Sequence, residues 1–456
     1  MSDDSDQITI LCKRTVVSTK PVQPGKFHHL SALDRVMEPN RQIRMVYYYT
    51  TPPGRAVGAV TKKLRESISE MLNGFPMVTG RLLKNDEGQW MIKCNDAGVR
   101  LVEARVKGSV EGWLRGADRE KELLLVHWED MYYKPYFWST FYVQLTEFEE
   151  GGLTIGLSCT HLLVDPPSAA MFIKAWADIT LGGKMLTPPL FQPLPLPKPG
   201  NKNTNQQTYT ALIDHCETSI QSPTPDMAKQ HATVTFGFTN EMVQSCIAMA
   251  KTVGVPDDSS LTPFEALAGL FWVCVRKIKG EGNGTLTNMF IGLDMRETLG
   301  LDKGFFGNCI VYHKVPAWEC LGDQNGLSEA TSAIGEAVKK MENKRILNLI
   351  EWLEGDNFES YSVSTISGRD LICAKLDNVV SNSTIFEDCY DPIRVSCYIE
   401  PVLEEGQVLI LPSPPGEGGF SRLAMVTLPE DEVVKLCEDA LLLQFNPTIL
   451  MGIGKS

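Results

Sequence analysis

One stretch decides the fold of this chain: Leu153-Thr-Ile-Gly-Leu-Ser-Cys-Thr-His161-Leu-Leu-Val-Asp165-Pro166-Pro-Ser-Ala-Ala-Met-Phe172-Ile-Lys-Ala-Trp176. Apolar side chains alternate with small or polar ones up to position 160, which predicts a half-buried strand that ends at His161. From position 169 onward the apolar residues recur at helical spacing. We expect Asp165 to cap this helix and Pro166 to open it, because proline has no amide hydrogen to leave unpaired. His161 therefore lies in a strand-to-helix turn.

The position of His161 supports two interpretations. Catalytic groups are often displayed on loops at the ends of regular elements, so His161 is a candidate for chemistry. A buried histidine that is hydrogen-bonded across the turn, with Asp165 only capping the helix, explains the same residues. The chain has seven histidines, so one of them can precede an aspartate by four positions through chance alone. This stretch alone leaves both interpretations open.

Length and charge limit the class of protein. A chain of 456 residues exceeds one ordinary core, so two domains are expected. The formal charge of −13 argues against nucleic-acid binding, which needs clustered Lys and Arg.

The cysteines and the apolar runs indicate the compartment. The twelve cysteines have neither CxxC pairs nor metal-ligand spacing, so no metal site is predicted and a reducing compartment is expected. The first residues are acidic and lack the basic-then-apolar order of a signal peptide. No apolar run reaches the 18 residues of a membrane span. We therefore expect a cytoplasmic protein.

A proline-rich segment divides the sequence. Six prolines lie between positions 188 and 199, and a polar run follows. Such a segment is neither helix nor central strand, so it predicts a crossover at 186–230 between domains at 1–185 and 231–456. A ligand for a proline-recognising domain is the alternative. Both halves mix helices and strands in a similar order, so the predicted fold class is α/β (α+β) with a duplicated domain.

Six short motifs, in order along nearly the whole chain, resemble those of the plant BAHD acyltransferase family. They are Leu30-Ser31-Ala-Leu33-Asp34, Phe75-Pro76-Met-Val-Thr-Gly80-Arg81, His161-xxx-Asp165, Thr262-Pro263-Phe264-Glu265-Ala266-Leu267, Leu293-Asp294-Met-Arg296 and Phe306-Gly307-Asn308. Each motif is weak alone, and their shared order makes the match specific. The resemblance implies two chloramphenicol-acetyltransferase-like domains with a channel at their interface.

The resemblance also implies a mechanism. His161 would act as general base on a hydroxyl acceptor, which attacks the thioester of acyl-CoA directly. Imidazole suits this role because its pKa of about 6.5 lies near the working pH. Asp165 would orient the turn. Acyl-CoA is then a co-substrate, and no bound cofactor is expected.

The chain departs from the family pattern at two places that matter for activity. The residue after the motif aspartate, usually Gly, is Pro166, which pushes Asp165 toward extended backbone. The family's DFGWG sequence is absent, and its nearest counterpart begins at Asp388. By resemblance, we expect Asp388 to form an ion pair with Arg296.

Without DFGWG, the chain resembles the divergent branch of brassinosteroid-related acyltransferases and eceriferum/glossy-type proteins. The first hypothesis is an acyl-CoA-dependent O-acyltransferase acting on a lipid-like or steroid alcohol. The alternative is a non-catalytic accessory protein that promotes very-long-chain fatty-acid elongation for cuticular wax, with an elongase partner at the endoplasmic reticulum.

The remaining predictions concern substrate contacts and assembly. Substrate-binding candidates are Thr262, Trp272, Arg276 and Lys277. The basic residues have a second explanation, since cations also complement a helix C-terminus. A monomer is expected.

Overall fold

A computed structural model describes most of the chain. The described ranges are 8–23, 25–37, 40–50, 59–131, 133–197, 230–251, 261–283, 288–317, 323–355, 370–377, 379, 384–386, 391–402, 406–414 and 417–452.

The chain divides into two compact units, and the division is discontinuous. The first unit comprises 1–194, 301–308 and 379–401, and the second comprises 195–300, 309–378 and 402–456. The sequence predicted two contiguous domains, whereas two segments of the second half belong to the first unit. The start of the predicted crossover also belongs to it: Leu190 forms a β-bridge with Phe305. Most of the crossover, 198–229, lies outside the described residues.

The first unit is a mixed α/β body. Its described strands, numbered in chain order through both units, are β1 Thr9–Val16, β2 Phe27–His29, β3 Gln42–Tyr49, β4 Arg81–Lys84, β5 Trp90–Lys93, β6 Val99–Val106, β7 Phe141–Phe148, β8 Leu153–Thr160 and β13 Arg394–Glu400. Its described helices are α1 Ala32–Arg35, α2 Ala59–Met71, α3 Val110–Arg115, α4 Arg119–Leu123 and α5 Pro166–Gly182. The main sheet has the order β1-β6-β7-β8-β3-β13, and β2-β5-β4 form a small second sheet. In the main sheet β6 and β7 run parallel, and the other pairs are antiparallel.

The second unit repeats the mixture of helices and strands. Its described strands are β9 His231–Phe238, β10 Met289–Asp294, β11 Ile310–Val315, β12 Leu371–Lys375, β14 Gln407–Pro412, β15 Arg422–Pro429 and β16 Thr448–Met451, in the sheet order β11-β10-β12-β14-β15-β9-β16. Its described helices are α6 Asn240–Ala250, α7 Pro263–Asn283, α8 Asp323–Lys340, α9 Asn343–Glu354, α10 Glu430–Cys437 and α11 Ala440–Leu443. Helices α8 and α9 are separate, because Glu342 adopts extended backbone before α9.

Strand β8 lies inside the main sheet, between β7 and β3. The sequence predicted a half-buried strand, and this was wrong, because every residue of β8 is buried. Thr154, Gly156 and Ser158 face a second packed layer rather than water. A Cβ atom added at Gly156 would lie 2.0 Å from the carbonyl oxygen of Leu125, so the neighbouring segment approaches to backbone contact there. The strand that leads to His161 is therefore held on both faces.

A buried carboxylate ties β13 into the first unit. Glu122 of α4 is fully buried and accepts hydrogen bonds from Tyr48 of β3 at 2.8 Å and from Ser396 of β13 at 3.0 Å. Tyr398 also donates to it, and Arg394 lies 3.5 Å away. These partners satisfy a charge that would otherwise be costly to bury. The network joins residues more than 270 positions apart.

Among the described residues, no helix combines the length with the apolar character that crossing a membrane requires.

Candidate active site

The turn after β8 has the local structure that the sequence predicted. Asp165 is the N-cap of α5: its backbone is extended (φ −98°, ψ 172°), and its carboxylate accepts from the Ser168 amide at 3.0 Å. Pro166 takes the first helical position. Proline disfavours helical backbone in the residue before it, so Pro166 and the cap require the same conformation of Asp165.

His161 continues the sheet for one residue beyond the end of β8. Its backbone amide donates to the carbonyl of Arg41 at 2.8 Å, next to the last paired residues, Gln42 and Thr160. The histidine is fully buried. The ring is thus carried by a rigid strand end, with its backbone amide paired.

Asn308 fixes the protonation of the imidazole. Its side-chain nitrogen donates to the backbone carbonyl of His161 at 2.9 Å and to the carboxylate of Asp34 at 2.8 Å. Its side-chain oxygen must therefore face Nδ1 of His161, which lies 3.0 Å away. An amide oxygen accepts only, so Nδ1 carries the proton and Nε2 keeps a free lone pair.

Asp34 anchors this arrangement from α1. Ser31 and Asp34 form a capping box, with the Ser31 amide donating to the carboxylate at 2.8 Å. The same carboxylate accepts from the backbone amide of Asn308 at 3.0 Å. Burial raises the pKa of Asp34, and these donors oppose that effect because they favour the charged form. Asp34 and Asn308 belong to two of the six motifs, but the sequence alone indicated no role for either residue.

The segment that carries Asn308 is also fixed to α5. The Ser168 hydroxyl donates to the carbonyl of Gly307 at 3.0 Å and accepts from its amide at 3.1 Å. Phe306 packs edge-on against Phe75, with ring centroids 5.2 Å apart, and Phe75 packs similarly against Phe172 of α5. Four of the six motifs thus meet around the histidine.

Burial and charge make the His161 imidazole a neutral group at physiological pH. The pKa of His161 is lowered to about 4, chiefly by burial and next by the nearby Arg41 cation, while Asp165 and Asn308 act in the opposite direction. Nε2 is buried and has no hydrogen-bond partner within the described structure. An imidazole in this state can accept a proton from a group that enters beside Nε2.

The other predicted site residues lie in the second unit or outside the described residues. Arg296 pairs with Asp294 at 2.9 Å, while its predicted partner Asp388 lies outside the described residues. The pairing of Arg296 with Asp388 therefore stays a prediction.

The predicted substrate contacts have structural roles in the second unit. Thr262 caps α7 through Glu265, and Trp272 is fully buried. Arg276 lies 5.9 Å from the ring of Trp272, and Lys277 pairs with Asp439 at 3.3 Å. A role for these residues in binding substrate stays a prediction.

In the described ranges, no group of His, Cys, Asp and Glu side chains is arranged so that it could hold a metal ion.

The two mixed α/β units agree with the predicted fold of two chloramphenicol-acetyltransferase-like domains, and the first unit carries a buried histidine whose Nε2 has no partner among the described residues. The sequence pattern of one family, described as the Transferase family, matches residues 6–443. The chain belongs to this family, the plant BAHD acyltransferases, which use acyl-CoA as co-substrate. The family resemblance predicted from the six motifs is confirmed, and the protein is an acyltransferase by class.

Individual relatives agree with this assignment. The chain is 28% identical to Protein ECERIFERUM 26 of Arabidopsis thaliana over 432 residues, 92% of each chain, which confirms the resemblance to eceriferum proteins. It is 27% identical to rosmarinate synthase of Plectranthus scutellarioides over 417 residues, 89% of this chain and 93% of the relative. The crystal structure of TRI101 from F. sporotrichioides, complexed with coenzyme A and T-2, matches with a TM-score of 0.70 at 15% identity, over 93% of this chain and all of the other. The structural match concerns the fold alone.

Proposed function

We propose that this protein transfers an acyl group from acyl-CoA to the hydroxyl of a lipid-like or steroid alcohol, with His161 as general base. The observation that carries the proposal is the hydrogen bond between Asn308 and Nδ1, since it leaves the Nε2 lone pair free. An alcohol attacks a thioester poorly unless a base removes its proton in the transition state.

The proposed reaction needs no covalent enzyme intermediate. Nε2 of His161 takes the hydroxyl proton as the alcohol oxygen bonds to the thioester carbonyl carbon. The tetrahedral intermediate then collapses, the carbon–sulfur bond breaks, and the imidazolium returns the proton to the departing CoA thiolate. The buried cysteines fit this direct route, because burial raises the pKa of Cys159 well above its ordinary value and keeps it as an unreactive thiol.

The test is an assay of acyl transfer by the purified full chain. A panel of acyl-CoA donors is incubated with sterols, fatty alcohols and phenolic alcohols, and both free CoA and the ester are quantified. His161→Ala should reduce turnover at least about 10²-fold, the lower end of what a general base contributes. His29→Ala, at an exposed position of β2, is the matched control and should keep full activity. Equal turnover by His161→Ala and the unmodified protein would overturn the proposal.

The second candidate is a non-catalytic accessory role in very-long-chain fatty-acid elongation at the endoplasmic reticulum. It is supported by the similarity to Protein ECERIFERUM 26, by Pro166 directly after the motif aspartate and by the absence of DFGWG. Co-expression with a fatty-acid elongase in yeast should then lengthen the acyl products, and His161→Ala should lengthen them equally. Unchanged chain lengths would exclude this role. For the first candidate function, the acyl transfer, we propose a cytoplasmic location.

A further inference from the structure

Arg41 lies beside the catalytic histidine proposed above. Its carbonyl accepts the His161 amide at 2.8 Å, which extends the antiparallel pairing of β3 and β8 by one residue beyond Gln42 and Thr160. Residues directly opposite each other in such a pair project from the same face of the sheet, with Cβ atoms about 5 Å apart. The side chains of Arg41 and His161 therefore leave the backbone together.

The Arg41 side chain is buried, and the described residues offer it no compensating charge. Only 4% of the residue is exposed, and its buried Nε has no hydrogen-bond partner among the described residues. Within the part of the chain that the structure describes, no carboxylate forms an ion pair with it. Because a desolvated cation is costly to keep unpaired, this arrangement needs an explanation.

Two other arginines of the first unit show how such a charge is usually compensated: Arg81, which is buried, and Arg119, whose side chain is 18% exposed. Arg81 donates to the carbonyls of Gly80 and Gly98, each at 2.8 Å. Arg119 makes two bonds of 2.8 Å to the carboxylate of Glu400. Arg41 is as buried as Arg81, yet in the described part of the chain its guanidinium has neither a carbonyl nor a carboxylate partner.

The charge of Arg41 also acts on the reaction. The cation lies close enough to His161 to lower the pKa of its imidazole, which weakens the base. A negative group bound to Arg41 would cancel this effect. The unpaired guanidinium therefore opposes catalysis in the empty protein and ceases to do so when an anion is present.

We propose that Arg41 binds an anionic group, a carboxylate or a phosphate, carried by one of the two substrates next to His161. The planar guanidinium offers paired N–H donors that match the two oxygens of such a group. The phosphates of CoA are an unsuitable source, because the pantetheine arm separates them from the thioester that must reach His161. The anion then belongs either to the acyl chain, as in a dicarboxylic acyl-CoA, or to the acceptor, as in a hydroxy acid. This inference rests on the proposed function and narrows its substrate class.

The experiment compares matched substrates that differ only in charge. In the donor arm, succinyl-CoA is compared with butyryl-CoA. In the acceptor arm, a long-chain hydroxy acid is compared with its methyl ester. The unmodified protein should favour the charged member of one pair in kcat/KM by about tenfold or more, which corresponds to one charge-assisted hydrogen bond. The arm in which the preference occurs identifies the source of the anion.

Variants separate recognition from general damage. Arg41→Gln should raise KM for the charged substrate by about tenfold or more and leave the neutral substrate nearly unchanged. Arg41→Lys keeps the charge but loses the paired N–H donors of the guanidinium. It should therefore retain only part of the preference for the charged substrate. Arg105→Gln, which removes a partly exposed arginine of β6 that lies 4.0 Å from Glu149, should keep the full preference. If Arg41→Gln does not fold, the Arg41→Lys comparison decides.

Two outcomes overturn the inference: no preference for the charged member in either arm, or a preference that both Arg41 variants keep. Calorimetric titration of the same four compounds distinguishes this failure from failure of the proposed function, because binding needs no turnover. A protein that transfers acyl groups without discriminating charge refutes only the role of Arg41. A protein that turns over nothing yet binds the charged member more tightly through Arg41 refutes only the transferase activity.

Discussion

The side-chain oxygen of Asn308 lies 3.0 Å from Nδ1 of His161, although the two residues are 147 positions apart in the sequence. The asparagine is itself oriented by Asp34 and by the carbonyl of His161, so its oxygen has one available direction. The protein thus selects one imidazole tautomer through a residue that titrates at no pH.

Removal of this hydrogen bond should reduce turnover more than substrate binding. We expect Asn308→Ala to lower kcat by about 10²-fold with a small change in KM, because the imidazole loses its fixed tautomer and orientation. Steady-state kinetics measure both parameters, and circular dichroism establishes the folded fraction. Asn343→Ala, at the exposed start of α9, is the control. An unchanged kcat in folded Asn308→Ala would contradict the assigned role.

The pH dependence should report the charge of Arg41. With a pKa of about 4, His161 is deprotonated above that pH, so kcat/KM for neutral substrates should fall only as the pH drops toward 4. Arg41→Gln removes a cation that disfavours imidazolium, so the pKa rises and the acidic limb should move to higher pH. Profiles between pH 4 and 8 measure this shift. An acidic limb that stays in place or moves to lower pH in Arg41→Gln would show that Arg41 does not act on His161.

Gly156 should tolerate no side chain, because a Cβ there would lie 2.0 Å from the carbonyl oxygen of Leu125. We expect Gly156→Ala to lower the free energy of unfolding by about 1–3 kcal/mol, the usual range for overpacking. Gly182→Ala is the matched control, since nothing lies within 4 Å of its added Cβ. Urea denaturation of both variants provides the comparison. Equal urea midpoints for the two variants would mean that the segment at Leu125 can move away from the added methyl group at position 156.

Loss of Glu122 should destabilise the first unit. Glu122→Ala leaves Arg394 without its buried partner and two tyrosine hydroxyls without an acceptor, so we expect a loss of about 3–5 kcal/mol. Tyr48→Phe removes one hydroxyl and should cost about 1 kcal/mol. Both values are measured by chemical denaturation. A similar small loss in the two variants would indicate that the carboxylate is dispensable.

Local patterns predicted the parts of the structure that local interactions determine. The cap at Asp165 and the first helical position of Pro166 were predicted, because each depends on residues within one helical turn. The family resemblance added the fold of both halves. The burial of β8 was mispredicted because Thr, Gly and Ser suit a solvated face and a closely packed one equally well.

The sequence did not reveal the roles of residues that depend on partners far away in the chain. Asn308 meets Asp34 across 274 positions, and no spacing rule connects them. Glu122 lies in a run of charged residues that is typical of a solvated helix, yet it is fully buried. Arg41 precedes a strand without any motif, so only the pairing of β3 with β8 places it beside His161.

The position of β13 near the end of the sequence has a consequence for folding during synthesis. It covers the edge of β3 in the sheet that the first 160 residues otherwise build, yet it is translated after position 390. Until then an emerging chain exposes an unpaired strand edge, which invites association with other chains. A fragment ending at residue 185 should therefore aggregate on expression, and addition of a peptide spanning 391–402 should increase its solubility.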